Sequence, residues 1–158
     1  MTTPNKNAPL ILETLIVNEE LLSTLYKKYS AIFSSDSGFW DEISNDETTH
    51  ASWLYDLGDK VASGEVYISN DRFNNETFKG FGDYVQEKID DAHTGLRLID
   101  ALSIAKDIEN SMLEMALFKI YDTDDQELKS TLNKLRESTE IHCAEINKHW
   151  RDELDRQH

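Results

Sequence analysis

The chain has 158 residues, and 31 acidic against 16 basic side chains leave a formal net charge of −15. That balance argues against nucleic acid and against anionic membrane surfaces as partners. No apolar run approaches the roughly 20 residues of a membrane span.

Six glycines and two prolines, both before residue 10, favour a mostly helical protein. The length suffices for one domain with its own core. A single cysteine, Cys143, excludes an internal disulfide and a cysteine-based zinc or iron–sulfur site within one chain. There is no Cys-x-x-Cys pair to build a rubredoxin-like centre. Pro9 to Val17 is apolar but broken by Glu13, and it lacks a signal-peptide cleavage pattern. A cytoplasmic protein is expected.

Residues 1–9 are expected to form a flexible tail, with Pro9 at a helix start, and residues 10–157 the folded domain. The first helix is expected over about Leu10 to Phe33. Its buried seam reads Leu12, Leu15, Glu19, Leu22, Tyr26, Tyr29, Phe33, at steps of three and four. One carboxylate, Glu19, interrupts it. Glu20, one position round, replaces it if the helical phase is shifted. Tyr26 falls two turns after Glu19, so its hydroxyl points into the same interior.

Ser34 to Gly38 reads as a turn, with Asp36 or Ser37 as the N-cap of a second helix over about Phe39 to Ser63, stopped at Gly64. Its seam runs Trp40, Ile43, Glu47, His50, Leu54, Leu57, Val61. Glu47 and His50 stand one turn apart on the buried face. A charge there is expensive unless it is paired or bound to a metal. A Glu-x-x-His pair facing a bundle core is how carboxylate-bridged metal sites are built.

Glu65 to Asn75 reads as irregular. An amphipathic segment follows over about Glu76 to Ala92, with Phe78, Phe81, Val85 and Ile89 on its apolar face. His93 or Thr94 is expected to open a third long helix, about Gly95 to Tyr121. Its seam is Leu98, Leu102, Ala105, Glu109, Met112, Ala116, Ile120, and again one carboxylate, Glu109, sits inside. After the acidic turn Asp122 to Asp125, a fourth long helix is expected to about Arg156. Its seam is Leu128, Leu132, Leu135, Thr139, His142, Ile146, then His149 or Trp150. Thr139 and His142 repeat the spacing of Glu47 and His50. Cys143, one step round from His142, reads as a packing residue with no activating neighbour.

Three carboxylates and two imidazoles thus interrupt four otherwise apolar seams, each away from the helix ends. An all-α bundle with one long crossover between the second and third long helices brings these levels together. Oxygen and nitrogen donors suit iron or manganese. A buried polar network without metal is the plainer alternative.

At these residues the chain resembles the ferritin-like superfamily, and within it the rubrerythrin-type branch. The residues carrying the resemblance are Glu19 with Tyr26, Glu47-x-x-His50 within FWDEISNDETTHASWL, Glu109 within ALSIAKDIENSMLE, and His142 within LRESTEIHCAEI. The crossover with its RFN stretch is also similar. The resemblance implies an up–down four-helix bundle with an extra helix in the crossover, and a non-haem centre of two irons, or of one. Glu19 would be a terminal ligand of the first metal, Glu47 would bridge, and His50 would complete the first site. Glu109 and His142 would serve the second, and Tyr26 would tune the centre.

Such sites react with oxygen or peroxide, which implies a peroxidase or oxidase with a separate electron-donor protein, assembled as a homodimer. Three departures stand out. Thr139 replaces the second motif's glutamate, which weakens the second site or leaves the centre mononuclear. Met112 stands where rubrerythrins place an extra glutamate. These 158 residues hold no Cys-x-x-Cys pair, so a rubredoxin-like domain is not expected within them. Iron oxidation and storage, and a metal-free helical interaction module, are the alternatives.

Overall fold

The computed structural model describes residues 8–66, 75–114 and 125–157. The five α-helices among them are α1 (Ala8–Ile32), α2 (Ser37–Ala62), α3 (Asn75–Asp91), α4 (Leu98–Met112) and α5 (Gln126–Arg156), with a 3-10 turn at Ser34–Asp36 before α2. The described residues contain no strand, and none of their helices is long and apolar enough to cross a membrane.

The helix ends follow local chemistry. α1 starts two residues earlier than the apolar pattern suggests, because a proline in the first turn lacks only an N–H that would have no helical partner. α2 stops as expected: Gly64 takes a φ of +83°, a left-handed conformation that costs glycine little, and the amides of Glu65 and Val66 fold back onto the Lys60 carbonyl. Asp36 is the N-cap of α2 by position, but its side chain makes no capping bond. Asp125 caps α5 fully, its carboxylate accepting from the amides of Glu127 and Leu128 at 3.0 Å each.

α4 begins at Leu98, three residues later than expected. The His93 side chain instead accepts the Gly95 amide at 2.9 Å and holds the preceding residues in a turn. The expected continuation to Tyr121, with Ala116 and Ile120, lies outside the described residues beyond Glu114. So do the tail before Ala8, the RFN stretch and the acidic residues Asp122 and Asp124.

The apolar seams meet in two clusters. One is aliphatic and contains Leu12, Leu15, Leu54, Leu57, Leu128, Leu132 and Leu135. The other holds the buried rings of Tyr26, Tyr29 and Trp40, with Leu22, Ile43, Val85, Leu102, Ile108 and Ile146. Along α1 and α5 the chain passes from the aliphatic cluster to the aromatic one; along α2 it passes the opposite way. α4 leaves the aromatic cluster, and Leu113 just beyond it packs on the aliphatic one, so α4 runs with α2. α3 carries the chain back between them along α1, Phe78 touching the aliphatic cluster and Phe81, Val85 and Ile89 the aromatic one. Between the two clusters, every long helix contributes a buried polar side chain: Glu19, Glu47 and His50, Glu109, Thr139 and His142.

Close packing needs small or complementary groups where helices meet. Ser23 of α1 and Ser44 of α2 exchange hydroxyl contacts, and Ser44 Oγ also donates to the Ser23 carbonyl at 2.8 Å. α3 approaches α1 at Gly82, where any Cβ would overlap the Asn18 amide oxygen. Asn18 Nδ2 donates to the Phe78 carbonyl at 2.9 Å across the same contact. This second partner explains why α1 buries Ile11, Ile16 and Leu25 beside the single seam read from periodicity. Trp150 ties α5 to α4 by donating from Nε1 to Ser103 Oγ at 2.9 Å, with Lys106 above its ring.

Candidate metal centre

All five ligand candidates lie in the polar level, each at most 4% exposed. Each is placed by the three-and-four period of its helix, which turns it onto the same face as the leucines one turn away. Glu19, not Glu20, faces inward; Glu20 is exposed and accepts the Tyr55 hydroxyl at 3.0 Å. Two groups form that could each hold a metal ion: Glu19, Glu47 and His50, and Glu47, Glu109 and His142, with one ligand atom from each residue within 4.8 Å of the others. Glu47 belongs to both.

In the first group His50 Nδ1 lies 3.1 Å from Glu47 Oε2 and 3.5 Å from Glu19 Oε2. In the second, His142 Nδ1 lies 3.0 Å from Glu47 Oε1 and 3.8 Å from Glu109 Oε1. The two rings stack loosely, centroids 5.5 Å apart. Both imidazoles therefore present Nδ1 to the carboxylates, and something else holds Nε2. For His50 it is Ser138 Oγ at 2.7 Å; for His142 it is Asp46 Oδ2 at 3.0 Å. A donor–acceptor bond behind a ring fixes its tautomer and orientation, as partners behind metal-bound histidines do.

Tyr26 donates its hydroxyl to Glu109 Oε1 at 2.8 Å, as its place on the α1 seam suggested. Asp46 and Ser138 escaped the seam pattern because they stand one step off it, half-buried rather than buried. The only signal for them in the sequence is adjacency, Asp46 next to Glu47 and Ser138 next to Thr139.

Four atoms of these residues are buried with no hydrogen-bond partner: Glu19 Oε2, Glu47 Oε1, Glu109 Oε2 and His142 Nδ1. Glu47 Oε1 and His142 Nδ1 are only 3.0 Å apart, yet they are not aligned as a hydrogen bond. Leaving a buried polar atom unpaired costs about 1–3 kcal/mol, more when it is charged. Native interiors keep few such atoms, and four in one cluster call for a shared partner. Three carboxylates and two neutral imidazoles are a donor set that fits a divalent cation in each group.

Without a cation the cluster holds protons. Burial pushes the Glu19 carboxyl well above the usual range, and the neighbouring Glu47 carboxylate pushes it further. Burial alone would lower both imidazoles. The flanking carboxylates overrule it: Glu19 and Glu47 raise His50 to about 10, and Glu109 and Glu47 raise His142 to about 12. Desolvation and the Glu109 charge lift the Cys143 thiol to about 11, which leaves it unreactive, as its packing role suggested.

Thr139 is buried at 1% and donates its hydroxyl to the Leu135 carbonyl at 2.8 Å. It supplies no charge to either group. Met112 packs in the aromatic cluster and brings no carboxylate to either group. His149 stacks on Phe39 at 3.9 Å near the surface and joins neither group.

Comparison with protein-family models, curated proteins and solved structures found no match to this chain.

Proposed function

We propose that this chain is a metal-binding protein of the ferritin-like, rubrerythrin-type kind, with a dinuclear iron centre that reacts with peroxide or oxygen. The four buried atoms without a hydrogen-bond partner, within a cluster whose two groups could each hold a metal ion, are the observation that carries this reading. The helix directions support it: a crossover helix between α2 and α4 lets those two run together, as a long crossover in a ferritin-like bundle requires. Glu19, Glu47 and His50 would hold one iron, and Glu47, Glu109 and His142 the other. The same oxygen and nitrogen donors accept manganese.

When bound, the metals supply the change of oxidation state that reduces peroxide or oxygen. The chain's own part is to hold and insulate them. Glu47, which belongs to both groups, would screen the repulsion of two cations held there. Ser138 and Asp46 keep each Nδ1 turned inward, and the Tyr26 hydroxyl fixes one oxygen of Glu109. The apolar clusters on either side exclude water from the polar level, and electrons would come from a separate donor protein.

The metal-free helical module remains the second reading. Thr139 favours it, and so do the raised imidazoles, which can hold protons between the carboxylates in place of a metal. Anaerobic ferrous titration of the wild type and of Glu47→Gln separates the two. Two irons per chain, both lost in the variant, with peroxide consumed when a reductant is added, is the expected result. No uptake by the wild type would sink the metal reading.

A further inference from the structure

α1 carries an apolar stripe that the fold leaves half open. Leu10, Thr14, Val17 and Leu21 recur at steps of four, three and four, so they share one face of the helix. Leu10 and Val17 on that face are each 50% exposed. Opposite them, α3 presents Glu76, Lys79 and Asp83 at the same kind of spacing, and between the two lines runs a groove of about 680 Å3. Its floor is the contact of Gly82 with Asn18, both buried, where α3 comes too near α1 to admit a Cβ. From Leu10 to Leu21 the groove extends about 16 Å, three turns of helix.

One wall is apolar and the other polar, which suits an occupant that is itself an amphipathic helix. Apolar side chains at steps of three and four lie along the α1 wall, and the polar face stays outward. The charge of the rim selects further. Glu13, Glu76 and Asp83 stand there against Lys79, the only cation among the described residues that line it, on a chain of net charge −15. Such a rim attracts a basic partner. It repels a second copy of this chain, which would set one acidic rim against another.

We propose that the α1–α3 groove docks a basic amphipathic helix of another protein, with its apolar side chains on Leu10 and Val17 and its lysines or arginines toward Glu13 and Asp83. None of the residues lining the groove belongs to either ligand group, so the docking surface stands or falls independently of metal at the polar level.

Fluorescence anisotropy on the full chain tests this, with a fluorescein-labelled peptide of leucine and lysine alone as the probe, its leucines at steps of three and four. Saturable one-to-one binding is expected, and it weakens as salt is raised. Val17→Glu should weaken it about tenfold or more, the size of losing an anchor at an interface, even though the added charge attracts a cationic peptide. Ile141→Glu adds the same charge at an exposed apolar position on α5 and should not weaken binding. Asp83→Lys, which reverses a rim charge, should weaken it severalfold. Circular dichroism checks that each variant keeps its helices; should Val17→Glu lose them, Asp83→Lys decides. No saturable binding, or equal affinity for the wild type and a folded Val17→Glu, would overturn the docking site. Self-association of the wild type that Val17→Glu abolishes would overturn the basic partner and assign the groove to a second copy.

Discussion

The Glu19–Glu47–His50 group and the Glu47–Glu109–His142 group share a carboxylate and the same burial, yet they are held differently from behind. His50 leans on a neutral hydroxyl, Ser138, whereas His142 leans on a carboxylate, Asp46. The second group has the Tyr26 hydroxyl on Glu109, whereas Glu19 Oε2 faces His50 without a hydrogen-bond partner. Near-twofold repetition of a motif on two helices therefore does not make two equal sites. What lies one step off the motif decides how strongly each ring is oriented.

Removing the rings one at a time breaks the comparison most severely. His142→Ala should abolish binding at the second group and leave one metal per chain; His50→Ala should leave the other. Metal counting after dialysis checks both, and loss of both metals from either single variant would show that the groups do not act separately.

Proton linkage in the metal-free chain should be the next largest effect. A group whose folded-state value is raised is more protonated in the folded than in the unfolded protein, so its contribution is full below the unfolded value. For the imidazoles that contribution is complete below about 6.5 and lost as pH rises through about 10 for His50 and about 12 for His142. The raised Glu19 carboxyl has the same sign: stability falls as pH rises above its ordinary range, and the loss is complete once the folded group ionises. With chelator present, the melting temperature should fall from pH 6.5 towards 10. With saturating Mn2+ the fall should shrink or reverse, because the metal needs the deprotonated ligands. Parallel slopes in the two conditions would count against metal at these groups.

The outer partners sharpen the difference further. Asp46→Asn should weaken metal at the second group by about 10–100-fold, the usual cost of losing a partner behind a metal-bound histidine. Ser138→Ala should weaken the first by less, since a neutral hydrogen bond has roughly half the strength of a charge-assisted one. Equal losses would mean that the charge of Asp46 is immaterial.

The smallest effect on metal should come from Gly82→Ala, which forces α3 away from Asn18. A destabilisation of about 1–3 kcal/mol is expected from overpacking there, read by urea unfolding, with metal stoichiometry unchanged. A change in stoichiometry would tie the α1–α3 contact to the polar level.

Much of this site was legible in the amino-acid order. Periodicity put Glu19 on the seam, with Glu20 as the choice of a shifted phase until the structure excluded it, placed Glu47 and His50 together, and put Glu109, Thr139 and His142 on buried faces, because burial of one helical stripe repeats every three to four residues. It also placed Phe78, Phe81, Val85 and Ile89 against the core. The start of α4 was not legible in that way, since the turn depends on a side-chain bond from His93 that leaves no periodic trace.

Sequence by itself therefore determined an all-helical chain, which face of each helix is buried, and which charged side chains that face cannot avoid burying. Only the tertiary structure decided which carboxylate meets which imidazole, that Asp46 and Ser138 stand behind the rings, and that Asn18 and Gly82 set the α1–α3 approach. The division has a physical cause. Helical phase is local, fixed by hydrogen bonds four residues apart. The pairs His50–Ser138, His142–Asp46 and Tyr26–Glu109 are separated by 88, 96 and 83 residues, and only the packing of whole helices brings them together.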